Sequence, residues 1–99
     1  MESLKAAIER PWGTPFGQEH FPSPYQKAAV LCESLIRRHP FVDGNKRTGV
    51  TMGSYLLSTF GYDVEATQRE LEGFGVDVAQ GVLDVEQIAR WFEDHAEPL

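Results

Sequence analysis

Residues 37–49 read RRHPFVDGNKRTG, and their order describes one helix ending, a tight loop and a second helix beginning. Upstream, Ala28, Leu31, Cys32, Leu35 and Ile36 recur at helical spacing; downstream, Gly49, Gly53, Leu56, Leu57 and Phe60 do the same. Pro40 stops the first helix, because it disfavours helical geometry at His39 and has no N–H of its own. Gly44 supplies a residue free to take positive φ, and Asn45 tolerates that region better than most. The second helix then starts near Asn45, with several backbone N–H groups unpaired and facing the loop. Helix dipole and amides together make an anion site.

The charges run against helix stability. Lys46 and Arg47 fall in the first turn of the second helix, where the dipole disfavours cations by roughly 0.3–1 kcal/mol each. A chain shaped for stability alone carries Asp or Glu there. A bound polyanion reverses the sign. Two cations, exposed amides and Asp43, a hard oxygen ligand suited to Mg2+, together describe a nucleotide phosphate site. His39, at the end of the preceding helix, is placed to act as general base.

HPFVDGNKRTG resembles the signature loop of the Fic/Doc family: a His, a Phe two residues on, an acidic residue, a small residue, Asn, then basic residues opening a helix. These are His39, Phe41, Asp43, Gly44, Asn45, Lys46 and Arg47. The similarity runs from about residue 3 to residue 92, and it implies an all-helical fold. The AMP-transferring Fic branch usually has Gly in place of Lys46 and a further Arg in place of Val50. The Doc branch reads Asn-Lys-Arg-Thr, as residues 45–48 do here; Gly44 departs from the Ala common in that branch.

The resemblance therefore implies a Doc-like kinase toxin that moves the γ-phosphoryl group of ATP to a threonine of elongation factor Tu. It implies His39 as proton acceptor, Asp43 as ligand to Mg2+, Gly44 and Asn45 as phosphate-binding amides, Lys46 and Arg47 as neutralisers of phosphoryl charge, and Phe41 as the loop's anchor in the core. A cognate antitoxin, its C-terminal segment lying in the cleft, is the implied partner. Some Fic proteins instead carry an inhibitory helix with Ser/Thr four residues before a Glu that Gly or Asn follows. Here Glu72-Gly73 is preceded at that position by Gln68, so control from another chain is expected. The alternatives are a Fic-type AMP-transferase acting on a protein hydroxyl and a catalytically inactive binding module.

Ninety-nine residues make a single domain with one modest core. A net charge of −6 argues against direct nucleic-acid binding, since the phosphate backbone is repelled. Against that background the cluster of Arg37, Arg38, Lys46 and Arg47 points to a small anion. No apolar run is long enough to span a bilayer, and no signal peptide is visible. A single cysteine, Cys32, rules out an internal disulfide and fits a reducing cytoplasm.

In chain order, residues 3–10 form a short helix ended by Pro11, and the family's usual helix before it is missing. Residues 11–22 are a Pro- and Gly-rich loop whose aromatics (Trp12, Phe16, Phe21) either cover the core or border the site as the family's flap. Ser23 caps a long helix with Pro24 at its first position, and Cys32 is buried filler. Arg37 and Arg38 favour that helix's C-terminus, from which Arg37 is a candidate phosphate ligand. Gly49 and Gly53 permit close packing on the Ala28/Cys32 face, and Gly61 ends the second helix. Thr67 with Glu70, and Asp84 with Gln87, are capping boxes for two further helices, separated at Gly81. The inward positions are Leu71, Phe74, Gly75 and Val78, then Val85, Ile88, Ala89 and Phe92. Strand signals are nearly absent, so the expected architecture is a compact bundle of about five helices. His20 and His95 receive no role. A metal centre on His39 and Asp43 falls short of the usual three or four ligands. A purely structural turn accounts for Pro40 and Phe41 alone.

Overall fold

A computed structural model describes residues 10–12, 21–37 and 45–99. The expected helix over residues 3–10, and Phe16 and His20 of the loop, lie outside the described residues apart from a 3-10 turn at Arg10–Trp12. The rest is mostly helical, as expected: α1 (Pro24–Arg37), α2 (Asn45–Thr59), α3 (Gln68–Ala79) and α4 (Val85–His95). Two short strands, β1 (Tyr62–Val64) and β2 (Ala96–Pro98), complete it.

Helix starts follow local chemistry. Ser23 Oγ accepts the Tyr25 N–H at 3.1 Å, and the Ser23 N–H donates to Gln26 Oε1 at 3.1 Å, so α1 opens on a reciprocal cap. At α3 the Glu70 N–H donates to Thr67 Oγ1 at 3.1 Å while the Thr67 N–H donates to Glu70 Oε1 at 3.0 Å. At α4 Asp84 and Gln87 repeat the exchange at 2.8 and 2.9 Å. Gly61 (φ 89°) and Gly81 (φ 74°) end α2 and α3 in the left-handed region. All four boundaries read from capping boxes and glycines are where the sequence put them.

α1 is the central element. Every residue from 27 to 36 is buried, so the helix is enclosed all round and not only on its Ala28/Leu31/Cys32/Leu35 face. The Lys27 ammonium donates to the Phe21 carbonyl and lies 5.4 Å from the Trp12 ring centre, which keeps a charged head satisfied at the edge of the core. Burial pushes the Cys32 thiol far up, which makes it inert filler, as expected.

α2 lies along α1 on its two glycines. A β-carbon at Gly49 would stand 2.5 Å from Ile36 Cγ1 and 3.1 Å from the Cys32 carbonyl oxygen; at Gly53 it would stand 2.7 Å from Phe92 Cζ and 3.2 Å from the Ala28 carbonyl oxygen. Leu56 and Leu57 are buried behind them, but Phe60 is not. The helix ends one residue earlier, at Thr59, and the turn carries Phe60 outward to stack on Trp12 with ring centres 6.0 Å apart. Both rings remain about half exposed (41% and 50%), so Trp12 covers the edge of the core and not its interior.

β1 and β2 pair antiparallel, Tyr62 opposite Pro98 and Val64 opposite Ala96. The ladder continues through the Glu65 N–H to His95 O at 2.7 Å and the Leu99 N–H to Gly61 O at 2.9 Å. Residues 62–66 were expected as a short extended connection, and the strand partner is what the sequence did not show. An aromatic column joins α3 to α4. Trp91 stacks on Phe74 at 3.9 Å, Phe92 meets both edge-on, and His95 lies over Trp91 at 4.0 Å. His95 Nδ1 donates to the Trp91 carbonyl at 2.7 Å and Nε2 stands 3.2 Å from Glu70 Oε2. His95, without a role in the sequence, ties the end of α4 to the first turn of α3.

Gly53→Ala is expected to destabilise by about 1–3 kcal/mol, because the Phe92 ring it would meet is fully buried and packs edge-on against Phe74 and Trp91. Gly73→Ala on α3 meets open space and should stabilise by about 0.5–1 kcal/mol through helix propensity. Urea unfolding of the two variants reads both signs. Glu70 gives a pH signature. The Thr67 backbone N–H first, and His95 second, hold its carboxyl below its usual value. A depressed folded-state pKa contributes stability above the unfolded value and loses it as pH falls through the folded one. Wild type should therefore exceed Glu70→Gln in Tm near neutrality, the margin closing as pH falls through and below the ordinary glutamate range. A margin that persists in acid contradicts the assignment.

Candidate functional site

The site is built where α1 ends and α2 begins. Its inner residues His39, Phe41, Asp43 and Gly44 lie outside the described residues, as does the Asn45 side chain. What the structure does place is the frame on either side of them. Arg37 is the last residue of α1 and Asn45 the first of α2, and the glycine seam fixes how those two helices lie against each other.

Lys46 and Arg47 are exposed in the first turn of α2, and that turn holds no acidic residue. α1 also opens without an acidic residue, but α3 and α4 behave differently. α3 carries Glu70 and α4 carries Glu86 in their first turns, where carboxylates offset the positive end of the dipole. Of the four described α-helices two place a carboxylate in the first turn, α1 places no acid there, and α2 alone opens on consecutive cations. The first four N–H groups of α2 lack partners within the helix, and the cations flank them. Amides, dipole and two side-chain charges thus bring the same sign to this end of α2, and phosphate is the ligand chemistry that suits them.

Arg37 is placed otherwise than a phosphate ligand requires. Its Nε donates to the Val78 carbonyl at 2.7 Å and its Nη2 to the Leu83 carbonyl. The guanidinium therefore caps the C-terminal end of α3, which has no basic residue of its own in its last turn. Sequence inspection could find a cation at the end of α1 but not its partners, which are 41 and 46 residues away.

Behind the first turn of α2 stands Gly75, which the sequence placed among the inward positions of α3 without showing what it would meet. A β-carbon there would lie 3.4 Å from Lys46 Cβ and 3.8 Å from both the Lys46 carbonyl oxygen and Val50 Cγ2. The missing side chain lets α3 touch the backbone from which Lys46 projects. Val50 itself is buried. Among the described residues no three His, Cys, Asp or Glu side chains gather as metal ligands, and no helix is long and apolar enough to cross a membrane.

The model of the Fic/DOC family matches residues 1–57. Over 81 residues, 82% of its length, the chain is 37% identical to Toxin Doc of Mycolicibacterium smegmatis. Over 40 residues it is 40% identical to a Fido domain-containing protein of Dictyostelium discoideum. It spans 58% and 28% of these relatives' own lengths. No solved structure matches.

A cation that opposes the helix dipole costs stability until an anion arrives. Lys46→Gln and Arg47→Gln should each raise unfolding free energy by about 0.3–1 kcal/mol at low salt, a gain that added salt screens away. The same variants should weaken pyrophosphate binding in calorimetry. A loss of stability in either variant would remove the electrostatic argument for the site.

Proposed function

We propose that this chain, which belongs to the Fic/Doc family, acts as a Doc-like toxin that transfers the γ-phosphoryl group of ATP to a threonine of elongation factor Tu. The observation that carries the reading is the first turn of α2, with two exposed cations and no carboxylate, at a helix end whose first amides have no partner within the helix. The likeness to a protein named Toxin Doc and the Asn-Lys-Arg-Thr run at residues 45–48 select the branch. Position 50 adds a structural reason. Its valine is buried beside Gly75, so it offers no charge to the α- and β-phosphates that an AMP-transferring site grips.

In this reading His39 accepts the proton of the target hydroxyl as its oxygen attacks the γ-phosphorus, and the bond from that phosphorus to the β,γ-bridging oxygen breaks to release ADP. Gly44 and Asn45 amides receive phosphate oxygens, and Lys46 and Arg47 balance the charge on the transferred group. Phe41 anchors the segment so that these groups keep their placement. Most of the acceleration comes from alignment and charge already in position. Asp43 is the residue to hold Mg2+, which neutralises phosphate charge when bound. An antitoxin is the matching partner, and its binding over the cleft provides the control.

Expression in bacterial cells should arrest growth, and His39→Ala should relieve the arrest while leaving the fold intact. With purified protein and elongation factor Tu, label should pass from γ-labelled ATP and not from α-labelled ATP. Transfer from the α position would assign AMP transfer instead. A wild-type chain that neither arrests growth nor transfers label would be a binding module.

A further inference from the structure

Arg37, which precedes the signature segment, and Lys46, near its end, both meet one face of α3. On the upstream side Arg37 donates to the Val78 carbonyl at 2.7 Å and to the Leu83 carbonyl. On the downstream side Gly75 lies against Lys46. Gly75 and Val78 are three residues apart, so they are neighbours on the helix surface, and both are buried. α3 thus touches the chain just before residue 38 and just after residue 45.

We infer that α3 is a brace that sets the separation and angle of the two stems carrying the site, and that Arg37 is its positioning residue. This rests on the reading of the α2 start as a phosphoryl-transfer site. Arg37 suits the task for three reasons. Its planar fork meets two carbonyls at once and so fixes orientation as well as distance. Those carbonyls belong to the end of α3 and to the turn after it, so the fork also joins two elements to α1. Val78 O accepts the Gly81 N–H at 3.1 Å as well, so loss of the guanidinium leaves that acceptor satisfied and frees the brace without unfolding the helix end. On the other side, the 3.4 Å gap at Gly75 admits nothing larger than a methyl group without moving Lys46.

The test uses the full chain with Arg37→Gln, Arg37→Lys, Gly75→Leu and, as a control on the same helix, Gly73→Ala. Amide exchange at Gly49 and Val50, whose N–H groups close the first turn of α2 onto residues 45 and 46, should quicken about tenfold in Arg37→Gln and Gly75→Leu relative to the α4 amides. Gly73→Ala should leave it unchanged. In γ-phosphoryl transfer Arg37→Gln should lower kcat about 100-fold, as misplacement by roughly an ångström does, with KM for ATP little altered. Arg37→Lys, which keeps the charge but not the fork, should recover only part of the rate. Unchanged exchange ratios in both Arg37→Gln and Gly75→Leu overturn the brace whatever the activity. A raised KM with kcat intact also overturns it, by making Arg37 a phosphate ligand. If exchange shifts as expected and wild type transfers no label, the brace stands and the phosphoryl-transfer reading falls.

Discussion

Between α1 and α2 there is no room for a β-carbon at two successive turns. Gly49 and Gly53 bring the second helix against the carbonyls of Cys32 and Ala28, with Ile36 and Phe92 closing the sides. Two glycines inside a helix cost about 2 kcal/mol in propensity, and close packing with a fully enclosed α1 offsets it. This contact decides the direction in which α2 leaves the signature residues, and so where its amides and cations point. The site's geometry begins as a packing constraint.

Among the described helices α2 alone opens on consecutive cations. α3 and α4 begin with capping boxes and a carboxylate, while α2 begins with lysine and arginine. The cost is small per residue, below that of one large core truncation, so the fold tolerates it. It becomes a gain only with a polyanion present. The same small penalty that a stability-driven sequence avoids is what a phosphate site needs in its empty state.

Histidine and arginine divide the remaining work. His95 joins α4 to the cap of α3 through Glu70 and the Trp91 stack. Arg37 joins α1 to the other end of α3. α3, which two glycines make a poor helix on its own, is therefore tied at both ends by side chains from other elements. The contact that fixes its finish also reaches the site's upstream border.

The sequence by itself determined what depends on neighbours a few residues away. The caps at Ser23, Thr67 and Asp84 and the stops at Gly61 and Gly81 are local, because a cap bonds to the next turn and a positive φ belongs to one residue, and the two glycines of α2 mark a close approach by their helical spacing alone. Tertiary structure alone decided the rest. The β1–β2 pairing, Glu70 with His95, Arg37 with Val78 and Leu83, the outward turn of Phe60 and the all-round burial of α1 join groups 25 to 46 residues apart or depend on what encloses a helix. Periodicity can say that a face is apolar or that a charge ends a helix. It cannot say which distant carbonyl will be waiting there, because that is set only when the glycine seam and the core have put every element in place.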